Sequence, residues 1–141
     1  MESIIGNEFS KKVIPIIDNA KSTIDIIVYD WRWYSDDPSN PVQLFNQTIV
    51  RAVRRGVIVR VIVNSDQILN VLRAVGCDAR RVVSKKLVHA KLIMIDKKDV
   101  VLGSHNFSFS AFTMNQEVSV YIPNFCDFER LETYFNSLWL I

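Results

Sequence analysis

The sequence predicts an α/β domain: a mixed, largely parallel β-sheet flanked by helices on both faces. Three observations predict it. Thr23 to Tyr29 and Val57 to Val63 are nearly unbroken runs of β-branched and apolar residues, as expected of strands buried on both sides. Between them, from Val42 to Arg55, Phe45, Ile49, Ala52 and Val53 recur at helical spacing. Strand, helix and strand in that order make a right-handed crossover between parallel strands. Finally, 141 residues that are 49% hydrophobic, with only four Gly and four Pro, suit one domain spanning residues 1–141 and argue against disorder.

The remaining elements follow in order. Residues 9–20 read as a helix, weakened by Pro15. Asp36, Pro38, Ser39, Asn40 and Pro41 mark a loop before the crossover helix, and Gly56 is placed to end that helix. Ser65 to Val75 reads as another helix, stopped at Gly76. Arg80 to Val83, Val88 to Ile95 and Asp99 to Leu102 read as short strands, with Lys97 and Lys98 in a tight turn. Glu117 to Ile122 is a further strand. A closing helix from Asn124 carries Phe128, Leu131, Phe135 and Leu138 on one stripe.

The net charge of +2 permits a polyanionic partner without requiring one. Cys77 and Cys126 are isolated, and with two histidines in all no zinc site of the usual spacing can be built, so both read as buried free thiols in a reducing compartment. The N-terminus lacks a basic region followed by an apolar run, and no apolar stretch approaches the roughly 20 residues that span a bilayer. A cytoplasmic protein that does not engage a membrane is therefore expected.

Chemistry is concentrated in one pattern, H-x-K-x4-D-x6-G-S-x-N, formed by His89, Lys91, Asp96, Gly103, Ser104 and Asn106. On a strand, side chains two apart share a face, so His89 and Lys91 project together, about 7 Å apart along the chain. Asp96 is an odd number of positions from both and, if the strand runs unbroken that far, points to the other face, which suggests a structural role and not proton transfer. Gly103 allows a sharp turn or a close backbone approach. Ser104 and Asn106 offer a hydroxyl and a carboxamide to phosphate oxygens, although an ordinary turn would use the same residues.

This set can hold and attack a phosphodiester. Lys91, Ser104 and Asn106 supply electrostatic stabilisation, and the His89 imidazole is the natural nucleophile or general acid. The acidic residues are scattered and form no carboxylate cage, so neither a metal nor another cofactor is expected. One histidine cannot easily do both jobs, and His105 is offset from Ser104 and Asn106. A two-fold homodimer resolves the difficulty, because its interface duplicates every residue near the axis.

The pattern resembles that of the phospholipase D superfamily, named for its H-K-D motif. It is most similar to the small single-motif branch of bacterial metal-independent endonucleases that act as homodimers. The resemblance is specific from Val88 to about Glu117 and elsewhere rests on size and element order. It implies a phospholipase D-like fold, a phosphohistidine intermediate on one His89, and the second copy as general acid. It also implies phosphate binding by Lys91, Ser104 and Asn106. An acidic residue about a dozen positions beyond Gly-Ser-x-Asn often orients a catalytic histidine in that family. Glu117 matches it. The lack of a second motif places dimerisation at the centre of the reading, and the lack of an export signal or cysteine-rich insertion argues against the periplasmic or mitochondrial-surface roles of some relatives.

Around the motif, Arg80, Arg81, Lys85 and Lys86 are candidates for phosphate-backbone contacts, against the alternative of a solvated basic face. Trp31 and Trp33, within the segment Trp31 to Tyr34, either stack on bases or pack in the core or dimer interface. The expected function is a metal-independent endonuclease acting on nucleic acid, DNA in preference to RNA. Two alternatives stand beside it: a phospholipid hydrolase or phosphatidyltransferase, and a non-catalytic nucleic-acid-binding module.

Overall fold

The computed structural model describes residues 1–141. The chain runs β1 (Glu2–Ile5), a 3-10 turn (Gly6–Glu8), α1 (Phe9–Asp18), β2 (Thr23–Ile27), α2 (Pro41–Arg54), β3 (Ile58–Val63) and α3 (Asp66–Ala74). It continues through β4 (Asp78–Arg81), β5 (Leu92–Ile95), β6 (Asp99–Gly103), α4 (Phe109–Thr113), β7 (Val118–Ile122) and α5 (Phe128–Trp139). Local chemistry sets the boundaries. The Asn40 side chain accepts a hydrogen bond from the Val42 N–H (2.9 Å) with Pro41 opening the helix, and Gly56 beyond its end adopts φ +94°. Pro15 lies on the exposed side of α1, which continues through it.

All seven strands form one sheet in the order β1-β7-β6-β5-β2-β3-β4. Its two faces follow from the period of two along each strand. On one side Ile24, Ile26, Val59, Val61, Ile93 and Ile95 pack beneath α1, α2, α3 and α4. On the other, Ile27, Ile62, Leu92, Met94 and Val100 meet Phe128, Phe135 and Trp139 of α5. Asp25 also faces α5, where its buried carboxylate accepts from Arg60 Nε (2.7 Å), whose guanidinium lies over the Phe135 ring (4.8 Å). Helices on both faces of a mixed sheet are as expected.

The expected parallel majority is not found. Only β2–β3 and β3–β4 are parallel; β1–β7, β7–β6, β6–β5 and β5–β2 are antiparallel. Parallel neighbours need a crossover, and only α2 and α3 provide one. Between β5 and β6 the chain reverses at Asp96 and Lys97, both at positive φ (+54° and +57°), which forces an antiparallel hairpin.

Cys77 is buried as expected, but Cys126 is exposed in the turn before α5; the other differences concern ends and short pieces. The closing helix begins at Phe128 and not Asn124, because Asn124 sits at φ +48° and donates its N–H to Asp99 Oδ1 (2.8 Å). β1 and α4, with four and five residues, carry too little periodicity to be read from sequence. No helix is long and apolar enough to cross a membrane.

Candidate active site

Strand register assembles the motif. In the β5–β6 hairpin Leu92 pairs with Leu102, which sets Lys91 opposite Gly103, whose N–H donates to the Lys91 carbonyl (3.4 Å). The His-x-Lys half and the Gly-Ser-x-Asn half thus lie side by side at one end of two adjacent strands. β2 runs antiparallel to β5, so its carboxyl end reaches the same edge and brings the Tyr29 ring to 4.8 Å from the His89 ring.

His89 and Lys91 precede β5 and are not within it, contrary to the expected strand from Val88. They still converge. Lys91 Nζ lies 2.9 Å from His89 Nδ1, where an ammonium can only donate. His89 is exposed and Lys91 partly buried. Burial pulls the Lys91 pKa below its ordinary value, partly opposed by the carboxylate of Glu117. The Lys91 ammonium also faces the Tyr29 ring at 5.9 Å.

Gly103 is required by crowding. A Cβ there would collide with the backbone and side chain of Ser119 and with the Val118 carbonyl. Gly103 pairs with Ser119 across β6–β7, and the next residue, Ser104, donates its N–H to the Val118 carbonyl (3.0 Å). Ser104 Oγ donates to Glu117 Oε1 (2.5 Å) and accepts from the Val118 N–H (3.0 Å). Its single proton is therefore committed to Glu117. The expected hydroxyl donor to phosphate is not free in this arrangement, and the serine instead holds the carboxylate. Glu117 accepts a second bond from Asn115 Nδ2 (3.1 Å) and makes no hydrogen bond to His89 of its own chain.

Asn106 is oriented by the backbone. The Asp30 N–H donates to Asn106 Oδ1 (3.0 Å), which fixes the carbonyl end and leaves the amide protons available. The following residue, Phe107, ties the same loop down: its N–H donates to the Asp30 carbonyl and its carbonyl accepts from the Arg32 N–H, both at 2.9 Å.

Asp96 lies in the turn after β5 at φ +54°, so the expected alternation along an unbroken strand does not apply to it; its role is read from its contacts. Its carboxylate accepts from the backbone N–H groups of Lys21 (2.9 Å), Ser22 (2.7 Å) and Thr23 (3.2 Å). Partial burial pushes its pKa up, but these donors outweigh that and hold it below the ordinary value. His105 is a core residue, 1% exposed. Its Nδ1 lies 2.7 Å from Ser119 Oγ and its Nε2 2.8 Å from the Gly6 carbonyl.

The candidate substrate-binding residues divide. Trp31 is buried; its indole N–H donates to Asn46 Oδ1 (2.7 Å) and its ring meets Phe107 edge-on at 5.0 Å. It belongs to the core and offers no face to a base. Trp33, two residues on, is partly exposed. Arg80 is also a correction: it donates to the Trp139 carbonyl (2.7 Å) and its guanidinium lies 4.0 Å over the Trp139 ring, on the α5 side of the sheet. Arg81 alternates to the opposite side, where it pairs with Asp66 (3.3 Å). Lys85 and Lys86 are exposed in the loop leading to His89, without a carboxylate partner. Tyr29 and Asp30 were missed by sequence reasoning; their position at the carboxyl end of a parallel strand was the available signal.

A mixed seven-stranded sheet covered by helices on both faces, with the motif at one strand edge, defines an α/β class of protein. The chain belongs to the phospholipase D-like family described as "Cardiolipin synthase, PLD-like domain", which matches residues 13–139. It is 30% identical over 156 aligned positions to the 5'-3' exonuclease PLD3 of Xenopus laevis, covering 99% of this chain and 32% of that protein. The chain thus spans about a third of the length of that curated relative. Its fold resembles that of Nuc, a phospholipase D family member from Salmonella typhimurium, with a TM-score of 0.82 and 23% identity over 98% of this chain and 93% of that one. NucT from Helicobacter pylori is similar at a TM-score of 0.79 and 19% identity, over 98% and 94% of the two chains.

Proposed function

We propose that the chain is a metal-independent phosphodiesterase that cleaves nucleic acid, DNA in preference to RNA, through a phosphohistidine on His89. The observation that carries this reading is the convergence of His89 and Lys91 at 2.9 Å, beside the Gly103–Asn106 turn on one sheet edge. Membership of the family and similarity to a relative named an exonuclease support it.

A neutral His89 nitrogen attacks phosphorus, and the P–N bond forms as the P–O bond to the leaving group breaks. The departing oxygen takes a proton from a second imidazole. That group, now neutral, deprotonates water, which attacks phosphorus and releases His89. Lys91 and the amide protons of Asn106 face the charge that gathers on the phosphoryl oxygens. With His105 locked in the core, the second imidazole is the His89 of a second copy. Leu87 (64% exposed) and Val118 (60% exposed) flank the site and suit burial between two copies. Glu117 is then available to orient the partner's His89.

Cleavage of single- and double-stranded DNA and RNA in excess EDTA tests the proposal. Activity should persist in the chelator, vanish in His89→Ala, and follow a dimer in sedimentation. Full activity of a monomer, or of His89→Ala, would remove the mechanism.

The family description itself favours a second reading, phosphatidyl transfer or phospholipid hydrolysis with the same residues. Release of choline from phosphatidylcholine vesicles, with no cleavage of any nucleic acid, would select it.

A further inference from the structure

A crevice of about 440 Å³ opens beside the motif, between the loop after β2 and the first turns of α3. It lies at the carboxyl ends of the parallel strands β2 and β3, on the same sheet edge as His89. Its volume falls within the roughly 300–1,000 Å³ typical of small-molecule sites. We propose that it receives the base of a nucleotide flanking the scissile phosphate, with Trp33 as the stacking surface and Gln67 facing the base edge. This rests on the reading of the chain as a nucleic-acid phosphodiesterase and adds where the base goes.

The crevice is coupled to the phosphate-binding turn by backbone. Asp30 lines it and donates its N–H to Asn106, while Phe107 bonds to both Asp30 and Arg32. Any movement of the crevice wall relative to Asn106 must break these bonds, so base and phosphate positions are fixed together.

Buried amides hold the wall rigid. Asn46, fully buried on α2, donates to the Arg32 carbonyl (3.0 Å), and Gln43 Oε1 accepts from the Tyr34 N–H (2.8 Å). Burying two carboxamides costs free energy unless each is satisfied, and here both are used to set the backbone on either side of Trp33.

The lining chemistry suits a nucleobase. Trp33 presents an aromatic wall, and Ile68 and Val71 form an apolar floor. Ser65 Oγ and the Gln67 carboxamide are exposed and carry no hydrogen bond within the protein; Ser65 leaves the start of α3 uncapped by its side chain. The one carboxylate, Asp30, is paired with Arg32 (2.9 Å), so a polyanion meets no uncompensated negative charge. Stacking on aromatics tolerates every base, whereas a carboxamide at the edge can discriminate among them.

Single-stranded oligonucleotides carrying one abasic residue at successive positions test this, with cleavage mapped by product length. For wild type, the phosphate whose crevice-side neighbour lacks a base should be cut about tenfold more slowly than in the intact strand. Trp33→Ala should cut both at that slow rate. Gln67→Ala, a change at an exposed residue, should keep the abasic penalty but lose discrimination among the four bases. Indifference of wild type to the missing base, or an undiminished penalty in Trp33→Ala, overturns the proposal. So does unchanged base preference in Gln67→Ala, which decides the matter should Trp33→Ala fail to fold.

A binding arm separates this from failure of the catalytic reading. His89→Ala should bind the intact oligonucleotide about tenfold more tightly than its abasic counterpart in fluorescence anisotropy, and Trp33→Ala in that background should abolish the difference. Equal affinities in the His89→Ala protein overturn the crevice even where wild type cleaves. The expected binding difference without cleavage by wild type would sustain the crevice and sink the catalysis.

Discussion

The Asp30 N–H donates to Asn106 Oδ1 across 3.0 Å. A backbone N–H can only donate, so the carbonyl end of the carboxamide is committed inward and the amide protons remain for an anion. Asn106→Asp keeps the bond to Asp30 but replaces those protons with a second carboxylate oxygen. We expect kcat/KM on an oligonucleotide to fall by about 10²–10³-fold with an unchanged melting temperature. A variant within threefold of wild type would show that Asn106 does not face the phosphate.

Ser104 and Glu117 act as one unit, because the serine proton is given to the carboxylate. Ser104→Ala and Glu117→Gln should therefore be strongly non-additive: the double variant should lose little more activity than the worse single variant. Steady-state kinetics on all four proteins checks this. Multiplying losses would mean independent roles, with the hydroxyl turned to the phosphate in the complex.

Asp96 should make stability depend on acid pH. Burial raises its pKa, but the backbone donors of Ser22, Lys21 and Thr23 dominate and hold it below 3.8 in the folded chain. The unfolded chain therefore takes up the proton first as pH falls. The stabilisation is complete above about pH 4 and is lost as pH drops through the lower folded value. Asp96→Asn should cost about 1.5–3 kcal/mol at pH 7 in urea denaturation, and less near pH 3. Equal losses at both pH values would contradict the charge-assisted bonds.

The basic residues should separate by salt dependence. Lys85 and Lys86 are exposed and without carboxylate partners, so each substitution by Ala that removes a phosphate contact should lower the salt slope of single-strand binding by about 0.7. Arg80 is held on Trp139, so Arg80→Ala should lower the melting temperature and leave that slope unchanged. A salt slope that moves with Arg80 and not with the lysines would reverse this assignment.

The sequence by itself determined the α/β class and the crossover from β2 through α2 to β3. These rest on local periodicity and spacing, which survive whatever the rest of the chain does. It also held the motif residues His89, Lys91, Gly103, Ser104 and Asn106 within eighteen positions, but not Tyr29 or Asp30, which the fold brings beside them. Contacts that depend on register between distant strands were decided only by tertiary structure. Of the four antiparallel pairings, only β5–β6 follows from a local reversal, at Asp96 and Lys97; the other three depend on where distant segments dock. Trp31 is buried where it bridges to Phe107, whereas Trp33 is only partly buried against the same core, a difference set by the packing of the loop. The Arg80–Trp139 contact required a helix nearly sixty residues later in the chain. Whether the Ser104 proton goes to a phosphate or to Glu117 was set by the pairing of β6 with β7, because a hydroxyl has one proton and only the folded geometry chooses its acceptor.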